Sequence, residues 1–197
     1  MNELTGHFHC HITVLEDDLE KAKHLRWKPT VIDLSHNERT QQDIMLTKHF
    51  RDDEPGAVRR ITDEVWEDVK ELSELGFEVL RVKLEYEPEF FPECLRPTAE
   101  KYHELHFKCL GDEESFLAAG NITLFGVELR QSRNPYNKTP YKLEKFFNAR
   151  VYGGTLESLA RFKLKAVELL EELFDLKEMK HEVILFDTNH EHDNWWA

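Results

Sequence analysis

The stretch Phe8-His9-Cys10-His11-Ile12-Thr13-Val14-Leu15 alternates, with Cys10, Ile12 and Val14 separated by the polar His9, His11 and Thr13. A period of two marks a strand that buries one face. The pattern returns in His103-Glu104-Leu105-His106-Phe107-Lys108-Cys109-Leu110, where Leu105, Phe107 and Cys109 alternate with Glu104, His106 and Lys108. Laid over each other, the two stretches put His106 on His11 and Lys108 on Thr13, at a spacing of 95 residues.

Outward from these strands the chain repeats its order. Residues 31–37 line up with 127–134 after a slip of one, and 62–75 with 156–173. A short helix is expected over 18–27 and another over 113–119. Strands are expected over 30–34, 44–50 and 79–85 in the first half, and over 124–131, 145–152 and 182–187 in the second. Between the later strands of each half, apolar residues recur at steps of three and four. They are Val58, Ile61, Val65, Val69, Leu72 and Leu75, then Leu156, Leu159, Phe162, Ala166, Leu169 and Leu173. Each set forms one helical stripe. Gly76 stands where a C-cap belongs and Thr155 where an N-cap belongs.

The order is β-α-β-β-α-β, twice, which is the ferredoxin-like unit. The expected fold is therefore α+β: a tandem duplication of a ferredoxin-like unit, in two antiparallel sheets with helices on the outer faces and a shared cleft. The lobes would span 1–86 and 102–197, the second ending in a Trp-containing tail. Residues 87–101, rich in Pro and apolar side chains, would be a docked connection and not a flexible linker.

Composition limits the function classes. The 197 residues carry a formal net charge of −13. Residues 1–95 hold 12 basic and 22 acidic side chains, against 14 and 17 in 96–197, so the halves differ in charge. This balance opposes extended binding to a phosphate backbone but leaves room for a local basic pocket. No run of ~18 apolar residues is present to span a membrane, and the start MNELTGHFHCH lacks the pattern of a signal peptide. Three cysteines (Cys10, Cys94, Cys109) have neither disulfide-framework nor zinc-ligand spacing, so a reducing cytoplasm is expected. Cys10 and Cys109 read as packed thiols.

The face opposite the helices carries the chemistry. From the first half it would present His9, His11 and Thr13 with Met45, Thr47 and His49. From the second it would present Glu104, His106 and Lys108 with Phe146, Asn148 and Arg150. Cationic and hydrogen-bonding groups gathered on an acidic protein suit a small phosphorylated or other anionic ligand. Two imidazoles across one phosphate can divide acid and base roles near neutral pH. Thr13 and Lys108, with Arg150, His49 and His9, would hold the ligand.

These residues resemble the 2H phosphoesterase family, whose two H-x-[ST]-x motifs lie on strands of pseudo-symmetric lobes. His11-Ile12-Thr13-Val14 matches the motif in full. His106-Phe107-Lys108-Cys109 keeps the histidine and has Lys108 where the family has Ser or Thr. The resemblance implies that His11 and His106 are the catalytic acid and base and that Thr13 contacts phosphate. The substrate would be a 2′,3′-cyclic phosphate, a small nucleotide or an RNA end, with no metal or other cofactor. Glu104-Leu105-His106-Phe107-Lys108, Ser132-Arg133-Asn134 and the segment from Asp187 to Trp195 also look like a family of uncharacterised bacterial proteins. That likeness implies a fold and no activity. Glu104-x-His106-x-Lys108 is similar to the E-x-E-x-K strand of the CYTH-type triphosphate-tunnel proteins, but departs at its middle residue.

Two other readings stand beside the hydrolase. One is a non-catalytic binding module for an anionic ligand, or a domain whose histidines serve a lobe interface. The other is a metal site on His7, His9 and His11, which share a strand face. The tail His190-Glu191-His192-Asp193-Asn194-Trp195-Trp196 is expected to dock on the body or a partner.

Overall fold

The computed structural model describes residues 4–15, 26–33, 42–88, 95–98, 101–132 and 143–190. The elements are β1 (Gly6–Val14), β2 (Lys28–Asp33), β3 (Gln42–Asp52), α1 (Ala57–Glu74), β4 (Val79–Glu87), β5 (His103–Gly111), α2 (Glu113–Ala119), β6 (Ile122–Leu124), β7 (Val127–Ser132), β8 (Leu143–Val151), α3 (Leu156–Leu173) and β9 (Asp175–Asp187). The helix expected over 18–27 falls almost wholly outside the described residues, as do Cys94 and the tail beyond His190.

Among the described residues all strands join one sheet, in the order β2-β3-β1-β4-β9-β5-β8-β7-β6, and every pairing is antiparallel. This corrects the expectation of two sheets, each with helices on its outer face, built from duplicated ferredoxin-like units around a shared cleft. The junction is β4 against β9, with Lys83 opposite Asp187, Leu84 opposite Phe186 and Tyr86 opposite Val183. Strand β9 is 13 residues long. Its first part pairs with β5 and its last part with β4. The physical reason is the edge: an unpaired strand leaves a row of N–H and C=O groups open. Joining β4 to β9 satisfies one edge of each half at once.

The register also places the helices. Phe8 pairs with Tyr86, Tyr86 with Val183, and Val183 with His103, so the apolar sides of β1 and β5 lie on the same face of the sheet. Helix α1 packs Ala57, Ile61, Val65 and Leu72 against Phe8, Cys10, Ile12 and Val14. Helix α3 packs Leu159, Phe162, Ala166 and Leu170 against Leu105, Phe107 and Cys109. Each fully buried phenylalanine, such as Phe8 or Phe107, contributes about 2–3 kcal/mol by leaving water. Cys10 and Cys109 lie in this core. Burial pushes the Cys109 thiol up to about 12, and Cys10 rises too, so neither is a thiolate nucleophile.

Local signals set the ends of elements. After α1 the Phe77 N–H reaches Leu72 O at 3.0 Å and the Gly76 N–H reaches Ser73 O at 3.1 Å. This Schellman closure needs the φ of +91° that Gly76 adopts. Thr155 and Ser158 form a reciprocal capping box at the start of α3. The single strand expected over 124–131 is instead a hairpin. Phe125 (φ 51°) and Gly126 (φ 79°) make a two-residue turn between β6 and β7, as a type I′ turn requires. Among the described residues no helix is long and apolar enough to cross a membrane.

Candidate functional site

Because the helices share one face, the polar sides of β1 and β5 lie side by side on the other. Their side chains meet across intervening strands. His9 on β1 reaches Glu182 on β9 past β4, with Nδ1 3.1 Å from Oε1. Lys83 on β4 reaches Glu104 on β5 past β9, donating from Nζ at 2.8 Å. Next-nearest strands stand about 9.5 Å apart, so only side chains leaning toward a common centre close such gaps.

His11 sits on β1 directly opposite Thr47 on β3. Its Nδ1 is 2.9 Å from Thr47 Oγ1 and its Nε2 is 3.0 Å from Glu85 Oε2. The carboxylate accepts from Nε2–H, so in the neutral ring the Thr47 hydroxyl donates to Nδ1. His106 sits on β5 directly opposite Asn148 on β8. Its Nδ1–H donates to Asn148 Oδ1 at 2.7 Å, and Nε2 stands 3.2 Å from Glu182 and 3.5 Å from Glu104. The Asn148 amide is oriented by its own donations to Ser132 Oγ and to the Arg130 carbonyl.

With acceptors at both nitrogens, His106 is held as an imidazolium. Burial pulls its pKa down, but the hydrogen bonds and charges of Glu104 and Glu182 outweigh that and lift it well above 6.5. His9 behaves likewise: burial lowers it, and Glu182, then Glu85 and Glu87, raise it. Burial would raise both carboxyls, yet Lys83, Arg150 and His106 hold Glu104 well below the carboxylate range, and His106 and His9 do so for Glu182.

The contacts form one chain: His11 to Glu85, Glu85 to Lys83 (2.6 Å), Lys83 to Glu104, Glu104 and Glu182 to His106, and Glu182 to His9. Arg150 joins it, donating from Nε to Glu104 at 2.7 Å and from Nη1 to the His190 carbonyl. His49 lies at the exposed rim, its ring edge-on to His9 with centroids 4.4 Å apart. Burial first, and then the charges of His9, His11, Lys180 and Lys28, lower its pKa, so it is a neutral imidazole. Lys108 stands apart from the chain, paired with Glu144 at 2.9 Å and over the Phe146 ring. Thr13 is buried on β1 between Met45 and Arg81.

The sequence reading thus found His9, His11, His106 and Arg150, which the sheet brings together. It missed Lys83, Glu85 and Glu182, which bind them to one another. The available signal was alternation in Arg81-Val82-Lys83-Leu84-Glu85-Tyr86, a half-buried strand whose polar side carries only charged residues. A second set, Arg81, Tyr102 and Asp187, ties β4 and β9 to the residue just before β5, with Asp187 Oδ2 accepting from the Arg81 guanidinium and from the Tyr102 hydroxyl. No protein-family model matches the sequence. No curated protein is significantly similar to it.

Proposed function

We propose that the polar face of the sheet is the reaction surface of a phosphoesterase-like protein acting on a small phosphorylated ligand. One observation carries this reading. His11 and His106 occupy matching positions in the two halves, each is oriented by a carboxylate at Nε2 and an oxygen at Nδ1, and a chain of charged contacts joins them. An imidazole held by a carboxylate keeps one tautomer and one orientation.

The roles then divide. His106, kept as a cation, is the proton donor to a leaving oxygen. His11, turned by Glu85, takes a proton from water or from the Thr47 hydroxyl beside it. A proton gained on one ring and lost from the other leaves the net charge of the chain unchanged. Arg150, His49 and His9 are the ligand-holding groups in this reading, whereas Lys108, paired with Glu144, and the buried Thr13 lie outside the gathered set. The net charge of −13 favours one small anion over a nucleic-acid duplex. The buried thiols fit a reducing cytoplasm.

The test is hydrolysis of a panel of 2′,3′-cyclic nucleotides and simple phosphate esters, with chelator and with added divalent ions. Wild type is run beside His11→Ala and His106→Ala. Turnover is expected to fall about a hundredfold or more in each variant. Turnover unchanged in both, or absent from wild type across the panel, contradicts the reading.

A further inference from the structure

We propose that His9, Glu85 and Glu182 form a binding site for a divalent transition-metal ion. One ligand atom from each lies within 4.8 Å of the others, and all three residues are buried. They come from three adjacent strands, β1, β4 and β9, so the set is fixed by the sheet and not by one flexible loop. Ligand atoms at 2.0–2.2 Å from a common ion stand about 3.4 Å apart in a tetrahedron. Small side-chain rotations therefore bring them to bonding distance.

A second observation points to a ligand at this place. Glu85 Oε1 is fully buried, and although Lys83 Nζ stands 2.6 Å away, it accepts no hydrogen bond from any described residue. The Lys83 ammonium already balances the charge of this oxygen, but it approaches outside hydrogen-bond geometry, so the lone pairs of Oε1 are left for an ion to take up. Lys83 keeps its contact with Glu104 at 2.8 Å. Glu182 Oε2 meanwhile stays 3.2 Å from His106, so one carboxylate serves the ion and the neighbouring imidazolium.

The donor set decides the class of ion. Imidazole nitrogen with carboxylate oxygen suits zinc, manganese, iron or cobalt, whereas magnesium and calcium prefer oxygen alone. The site does not depend on the phosphoesterase reading, and its test contains no substrate.

The test is titration of cobalt(II) into the full-length, chelator-treated protein, followed by visible absorption. One ion per chain is expected, with a d–d spectrum showing nitrogen and oxygen ligation. His9→Gln and Glu182→Gln should each weaken binding at least about tenfold. A His190→Ala/His192→Ala double variant should leave binding unchanged. Should either buried-site variant fail to fold, proton relaxation in wild type decides: bound manganese(II) should broaden the His9 and His49 rings before those of His103 and His181 on the helix-covered face. Three results overturn the proposal: no binding at tens of micromolar, a spectrum unaltered in folded His9→Gln and Glu182→Gln, or His103 and His181 broadened first.

Discussion

Glu104→Gln is expected to destabilise the protein by roughly 3 kcal/mol, read as a lower denaturant midpoint at unchanged slope. Glu104 is 4% exposed and meets three cationic groups: Lys83 at 2.8 Å, Arg150 at 2.7 Å and His106 at 3.5 Å. The amide keeps the shape and one acceptor but removes the charge. Breaking a buried pair from one side costs about 3–5 kcal/mol because the partner charge stays buried. The lower figure applies because each cation keeps another contact: Lys83 with Glu85, Arg150 with the His190 carbonyl, and His106 with Glu182. The exposed pair of Arg59 and Asp63 on α1, at 3.8 Å, is the contrast. Its removal should leave the midpoint unmoved, because water and salt already screen it. A Glu104→Gln midpoint equal to wild type would mean that the chain of charges carries no stability.

The thermal midpoint should be highest near pH 6.5, the ordinary histidine value, and fall on both sides. Above that pH, His106 and His9 hold protons in the folded state that the unfolded chain has lost. Stability therefore declines as pH rises through their raised values. Below it, the order reverses. His181 is brought down to about 3, chiefly by burial and then by His103 and Lys163, and burial lowers His103 and His49 as well. These three stay neutral when folded while the unfolded chain takes up protons, so stability falls with falling pH. Glu104 and Glu182 steepen the acid limb below about pH 4.5, where the unfolded carboxyls protonate and the folded ones do not. Calorimetric scans from about pH 4 to about pH 9 check this. A midpoint that climbs steadily from acid to alkaline pH contradicts it, since no raised histidine would then be linked to folding.

The two halves of the account differ in how far sequence could reach them. Alternation in β1 and β5 put His9, His11 and Thr13 on one face, and Glu104, His106 and Lys108 on another, because a strand has period two whatever it pairs with. The stripes of α1 and α3 followed from period 3.6 for the same local reason. That the two faces are one face was not legible. It depends on β4 meeting β9, with the Val82 N–H bonding to Thr188 Oγ1 across 106 residues of chain. Residues 175–180, Asp-Leu-Lys-Glu-Met-Lys, gave no alternation of apolar and polar strong enough to announce the first half of β9. Glu85 and Glu182 were passed over because a carboxylate on a half-buried strand reads as solvated until its partner strand is known. Lys108 shows the opposite case: its place in the motif was readable, but its Glu144 partner on β8 was not.

The central claim is that the sheet holds His106 as a cation among buried carboxylates. Ring-nitrogen NMR of the histidines across pH tests it most directly. The account predicts that both His106 nitrogens remain protonated well above pH 6.5, and that Glu182→Gln moves the titration back toward that value. A wild-type His106 that loses its proton near pH 6.5, as a solvated imidazole does, would contradict the claim and with it the division of roles between His11 and His106.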